Sequence, residues 1–138
     1  MEDYFAPRLG EDEIRAISTV GLAHLGDAVY ELLVRSWLCA HGRATGKGLH
    51  RAAVELVKAP AQAERAERIL PLLTEREQAV FKRGRNAHVH TVPHSASRAD
   101  YLKATALECL LGDLYLRGER DRISALFAAM MEEDQHAT

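Results

Sequence analysis

Apolar residues recur along most of the chain at intervals of three and four, and nowhere do they alternate with polar ones long enough to describe a strand. β-Branched residues are scattered, whereas Ala, Leu, Glu and Arg dominate, so the pattern predicts an all-α fold. A short helix is expected near 11–17 and a long one from about Thr19 to His41, followed by a glycine-punctuated turn, GRATGKG, at 42–48. Further helices are expected near 49–57, 60–70 and 74–84; Pro60 suits a first helical turn, and Thr74 with Glu77 three residues on forms a capping box. A polar loop, RNAHVHTVPHSAS, fills 85–97, and two helices near 97–117 and 119–132 close the chain, with Gly118 as the stop between them.

The length of 138 residues and the absence of repeats or linkers predict one domain spanning 1–138, and a hydrophobic content of 47% is enough to fill a core. Every long apolar run is interrupted by charge well before the roughly 18 residues a membrane helix needs, and MEDYFAPRLGEDE lacks the layout of a signal peptide. A cytoplasmic protein without a membrane partner is expected. Cys39 and Cys109 each lie in a helical apolar pattern and read as reduced core residues. The net charge of −2 excludes a chain that is basic all over, but the charge is uneven. Lys82, Arg83, Arg85, Arg98 and Lys103 fall in a segment holding a single acid, Asp100, while acids gather at 11–13 and 132–134. That segment is a candidate phosphate-binding surface.

The chemistry narrows to two carboxylates. In the long first helix His24, Asp27, Glu31 and Arg35 form a stripe under about 90° wide, which is either a solvated face or the rim of a site. Glu31 and Arg35 have the order of a surface ion pair. Gly26, however, costs that helix about 0.5–1 kcal/mol relative to alanine, and its place beside Asp27 points to another helix passing close by. The run ATALECLLG at 104–112 poses the matching question: Glu108 sits among Leu102, Leu107, Leu110, Leu111 and Leu114, and such a carboxylate needs a partner. Its face also carries Ala104 and Gly112, so two glycine-flanked helices would cross closely and bring Asp27 and Glu108 together, to share a proton or hold a divalent cation. The other reading of Glu108 is a buried glutamate satisfied by an arginine or by helix N-termini. Asp113, near the helix end, reads as exposed. KRGR at 82–85 places three cations around a glycine where backbone amides can approach a phosphate, with Asn86 beside it. The spacing of His88, His90 and His94 matches zinc sites poorly, and these are better read as mildly basic loop groups.

Taken together, LGDAVYE at 25–31, KRGRNA at 82–87, TVP at 91–93 and TALECLLGDLYL at 105–116 resemble the mini-ribonuclease III proteins, which are ribonuclease III type catalytic domains without a double-stranded RNA-binding domain. The resemblance covers almost the whole chain in the family's order. It implies the helical bundle of the ribonuclease III endonuclease domain, working as a homodimer whose two Mg²⁺-dependent centres cut opposite strands of an RNA duplex, with the precursor of 23S ribosomal RNA as substrate. The family's GDA aspartate matches Asp27 and its second-motif glutamate matches Glu108, here followed by Cys109 in place of alanine. Both are catalytic metal-binding positions in the family. Full-length ribonuclease III carries two further acids where this chain has Ala23 and Thr105, a reduction shared by the mini branch.

Because the sequence ends soon after its last helix, no appended RNA-binding domain is expected. Affinity would then come from the catalytic domain itself, with Lys82, Arg83, Arg85 and Asn86 contacting the RNA backbone. Mn²⁺ is a possible substitute for Mg²⁺, and a ribosomal protein a possible presenter of the substrate. Two rivals stand beside this reading. One is a non-catalytic RNA-binding or ribosome-associated protein of the same fold. The other is a metal-storing bundle, which predicts inward Glu-x-x-His motifs on two helices, whereas the sequence holds a single such spacing, Glu133 with His136, at its end.

Overall fold

The computed structural model describes residues 2–42, 46–87, 92 and 97–136, with the side chains of 133–136 left out; His88, His90 and His94 lie outside these residues. Every regular element among the described residues is helical: α1 (Glu11–Arg15), α2 (Thr19–Ala40), α3 (Gly46–Val57), α4 (Ala59–Ile69), α5 (Glu75–Arg85), α6 (Arg98–Leu116) and α7 (Arg120–His136), with a 3₁₀ turn (Leu70–Leu72) after α4. No helix among them is long and apolar enough to cross a membrane.

Local chemistry sets the helix ends. Ser18 accepts from the Gly21 amide at 3.0 Å to open α2, and Ser97 accepts from the Asp100 amide at 3.1 Å to open α6. Thr74 and Glu77 make the anticipated reciprocal cap on α5. Gly118, at φ +78°, supplies the left-handed turn that stops α6 and reverses the chain into α7. Sequence and structure differ at α3, which starts at Gly46 instead of 49, and at the 3₁₀ turn, where Pro71 breaks the amide ladder.

Helix α6 is the axis of the molecule, packed on by α2, α4, α5 and α7. Because neighbours surround it, it is not amphipathic: Leu107, Leu110, Leu111 and Leu114 point in different directions and all are buried. They join Tyr30, Val34, Ile69, Met130 and Met131 in one core. Truncating such a leucine to alanine costs about 2–5 kcal/mol. Two expectations are corrected here. Cys39 is exposed, since it falls on the outer side of α2, whereas Cys109 is buried as anticipated. Asp113 is only 2% exposed, because two arginines reach it: Arg76 Nη1 at 2.8 Å and Arg117 Nε at 2.7 Å.

Candidate active site

Helices α2 and α6 meet without side chains between them. A Cβ added at Gly26 would lie 1.6 Å from the carbonyl oxygen of Glu108, and one at Gly112 would lie 2.2 Å from that of Leu22. Only glycine fits either position, so the crossing expected from the sequence is present and is built from missing side chains. It sets Asp27, the residue after Gly26, against Glu108. The two carboxyl groups interact directly, Asp27 being exposed at the rim and Glu108 half-buried behind it. They line a cavity of about 230 Å³ with Thr19, Ala23, His24, Tyr101 and Thr105.

Burial pushes the Glu108 carboxyl up to about 8, reinforced by the nearby Asp27, while the Gln62 amide works in the opposite direction. Among the described residues no arginine acts on it. That removes the arginine-satisfied reading of Glu108 and leaves a carboxyl pair in a partly dry groove. The Thr105 hydroxyl donates to the Tyr101 carbonyl oxygen at 3.0 Å, so its proton is committed to the helix backbone. Ala23 and Thr105 therefore line the groove without adding charge to it.

The donor set suits a hydrated divalent cation. Among the described residues no group of three His, Cys, Asp or Glu side chains gathers anywhere, so protein ligation would rest on Asp27 and Glu108. Mg²⁺ accepts such sparse ligation because it keeps several of its waters. Gln62, on α4, is a further polar group acting on Glu108, and its Oε1 is buried with no hydrogen-bond partner among the described residues. Sequence reasoning missed Gln62. Its signal was an amide set among alanines, Ala61, Ala63 and Ala66, on the face that α4 turns inward.

Of the four positions expected to bind backbone phosphates, Lys82, Arg83 and Asn86 line a second cavity of about 610 Å³ together with Ser18 and Thr19. Thr19, Val20 and Ala87 line both cavities, so the two are continuous. The Arg83 guanidinium donates to Thr19 Oγ1 at 3.4 Å across the junction. Arg85 is exposed but lines neither cavity. Lys103, part of the same basic segment, is instead paired with Glu67. Gly84 corrects the sequence reading of KRGR. It is buried inside α5, where a Cβ would meet the Ala106 Cα at 2.8 Å and the Cys109 side chain at 2.9 Å. The glycine admits α6; it does not present amides to a phosphate. Glu31 and Arg35 form the expected surface pair at 3.2 Å.

The ribonuclease III domain family model matches residues 21–119, which include both carboxylates and the basic turn of α5. The chain is 46% identical to a mini-ribonuclease 3 of Symbiobacterium thermophilum over 108 residues, covering 78% of this chain and 83% of that protein. It is 41% identical to a mini-ribonuclease 3 of a Thermoanaerobacter species over 115 residues, covering 83% and 81% respectively. The X-ray structure of a Fusobacterium nucleatum protein superposes with a TM-score of 0.80 at 30% identity, covering 88% of this chain and 98% of that one.

Proposed function

The chain belongs to the ribonuclease III family, endoribonucleases acting on double-stranded RNA, and on that footing we propose that Asp27 and Glu108 are its catalytic metal ligands and that residues 1–138 act as one catalytic domain. The observation that carries this reading is the juxtaposition of the two carboxylates at the Gly26 crossing, with no arginine acting on Glu108. Mg²⁺ bound there, with Mn²⁺ as a substitute, would neutralise charge on the scissile phosphate and acidify a water for in-line attack.

The chain's own residues do the rest. Gly26 and Gly112 hold the carboxylates at one separation, and the half-buried setting of Glu108 limits bulk water. Lys82, Arg83, Arg85 and Asn86 hold the sugar–phosphate backbone beside the groove, reading A-form shape with little dependence on sequence. Two copies act together. The surface that supports this is an apolar cavity of about 660 Å³ along α2, lined by Leu25, Ala28, Leu32 and Leu33 and flanked by Tyr4 and Phe5. Leu32 is 60% exposed and Phe5 80%, more apolar surface than a monomer ordinarily leaves wet. The physiological substrate is the precursor of 23S ribosomal RNA, with a ribosomal protein as a possible presenter.

A non-catalytic RNA-binding role is the alternative, favoured by the uncharged Ala23 and Thr105 in the groove. One assay separates the two: purified protein on a perfect RNA duplex, with and without Mg²⁺, wild type against Asp27→Asn. Metal-dependent cutting by the wild type alone is the expected result. An intact duplex under all conditions, with equal binding by both proteins, favours the alternative.

A further inference from the structure

Gln62 is 4% exposed and belongs to α4, a helix outside both cavities described above. Its Nε2 donates to the Val57 carbonyl oxygen at 2.8 Å, which fixes the amide's orientation across the turn from α3 into α4. The same side chain also acts on the Glu108 carboxyl, as Asp27 does. Its Oε1 is the buried acceptor without a partner among the described residues.

An amide here does something an arginine would not. Buried carboxylates elsewhere in this fold are held by guanidinium groups, which orient and neutralise them together: Glu77 by Arg122 and Asp113 by Arg76 and Arg117. A primary amide donates a hydrogen bond without a net charge, so it orients a carboxylate and leaves its charge available to a cation. With one N–H anchored on Val57, the second is directed by the planarity of the amide and cannot swing away. We propose that Gln62 is a positioning residue of the metal site: it holds the Glu108 carboxylate in one orientation without neutralising it.

This rests on the reading of Asp27 and Glu108 as metal ligands, and the test separates the two. Direct Mn²⁺ binding is measured on RNA-free wild-type protein and on Gln62→Met and Gln62→Leu, together with kcat and KM on duplex RNA across a Mn²⁺ series and the thermal midpoint of each. Loss of such a supporting hydrogen bond weakens metal affinity about 10- to 100-fold. The expected result is therefore Mn²⁺ affinity at least about tenfold weaker, with kcat reduced at limiting metal and recovered at high metal, and KM for RNA within about twofold of wild type. Recovery by metal is what a packing defect would not give. Wild-type Mn²⁺ affinity in a folded variant overturns the role of Gln62, and so does loss of fold in both variants, which would make it a packing residue. Failure of the wild type to bind Mn²⁺ overturns the underlying metal site as well.

Discussion

Glu108 and Asp113 lie five residues apart on one helix, both in apolar sequence, and the fold treats them oppositely. Asp113 is 2% exposed and meets two arginines, one of which, Arg117, also pairs with Glu11 and so ties α1 to the end of α6. Glu108 keeps some contact with solvent and meets another carboxyl group and a neutral amide. A paired buried acid is settled, and its removal is felt as lost stability. An acid set against another acid is held in an unfavourable state that only a cation or a proton relieves. Burial alone does not distinguish a structural carboxylate from a chemical one; the sign and charge of its neighbours do.

The largest effect expected is on catalysis. Glu108→Gln should lower kcat on duplex RNA by about a thousandfold or more, equivalent to about 4 kcal/mol of transition-state stabilisation, while leaving the thermal midpoint at or above that of wild type. A clear fall in the midpoint with activity retained would place Glu108 in the same class as Asp113. Next comes Gly26→Ala, whose added methyl would lie 1.6 Å from the Glu108 carbonyl oxygen; forcing α2 and α6 apart should cost about 3 kcal/mol or more, read from the urea midpoint, and should remove activity with it. Asp113→Asn should cost about 2 kcal/mol, below the usual range for a broken buried pair because the Arg76 side chain is 41% exposed. Its kcat at 25 °C should stay within about threefold of wild type, a contrast with Glu108→Gln that equal losses in the two variants would erase.

Titration sharpens the same contrast. The folded protein keeps a proton on Glu108 up to about pH 8, whereas the unfolded chain releases it near the ordinary glutamate value of 4.5. The native state binds more protons in that window, so the metal-free protein should lose stability as pH rises from about 5 to about 8. Glu108→Gln should flatten this slope, and so should saturating Mg²⁺. Glu77 gives the opposite sign: hydrogen bonding from Arg122 holds its carboxyl below the usual range, so its contribution is present above that range and lost as pH falls through the folded value. Thermal melts of the metal-free protein from pH 3 to 9 check both limbs. The smallest effect is expected from Arg83→Ala with Arg85→Ala, which should raise KM for RNA several-fold and reduce the salt slope of binding by about 1 to 2, leaving kcat nearly unchanged.

Much of this was legible in the sequence because the decisive signals were local. Thr74 with Glu77 and Gly118 mark helix ends within a residue or two, and a glycine next to Asp27 and another one turn from Glu108 announced the crossing. What escaped depended on distant partners. Asp113 reads as a helix-end acid until Arg76 arrives from α5, 37 residues away. Gln62 is unremarked in an alanine-rich helix until α4 is laid against Glu108. Gly84, among three cations, looked like a phosphate cradle because the inward side of α5 is not apparent from so basic a stretch. Cys39 shares a helical apolar pattern with Leu38 yet falls just off the core-facing side.

At Gly84 three walls of the groove converge. Its neighbour across the gap, Cys109, is pressed against it and donates from Sγ to the Thr19 carbonyl oxygen at 3.3 Å, with the thiol pushed up to about 11 by burial. Arg83 and Arg85 flank one side of that contact in sequence, and Glu108 flanks the other. The offset between the basic turn of α5 and the carboxylate pair is thus set by a close approach of helix on helix at Gly84. On the roles proposed for these residues, a duplex gripped at the α5 end would be measured out by a fixed gauge, with the place of the cut registered by the protein's own dimensions.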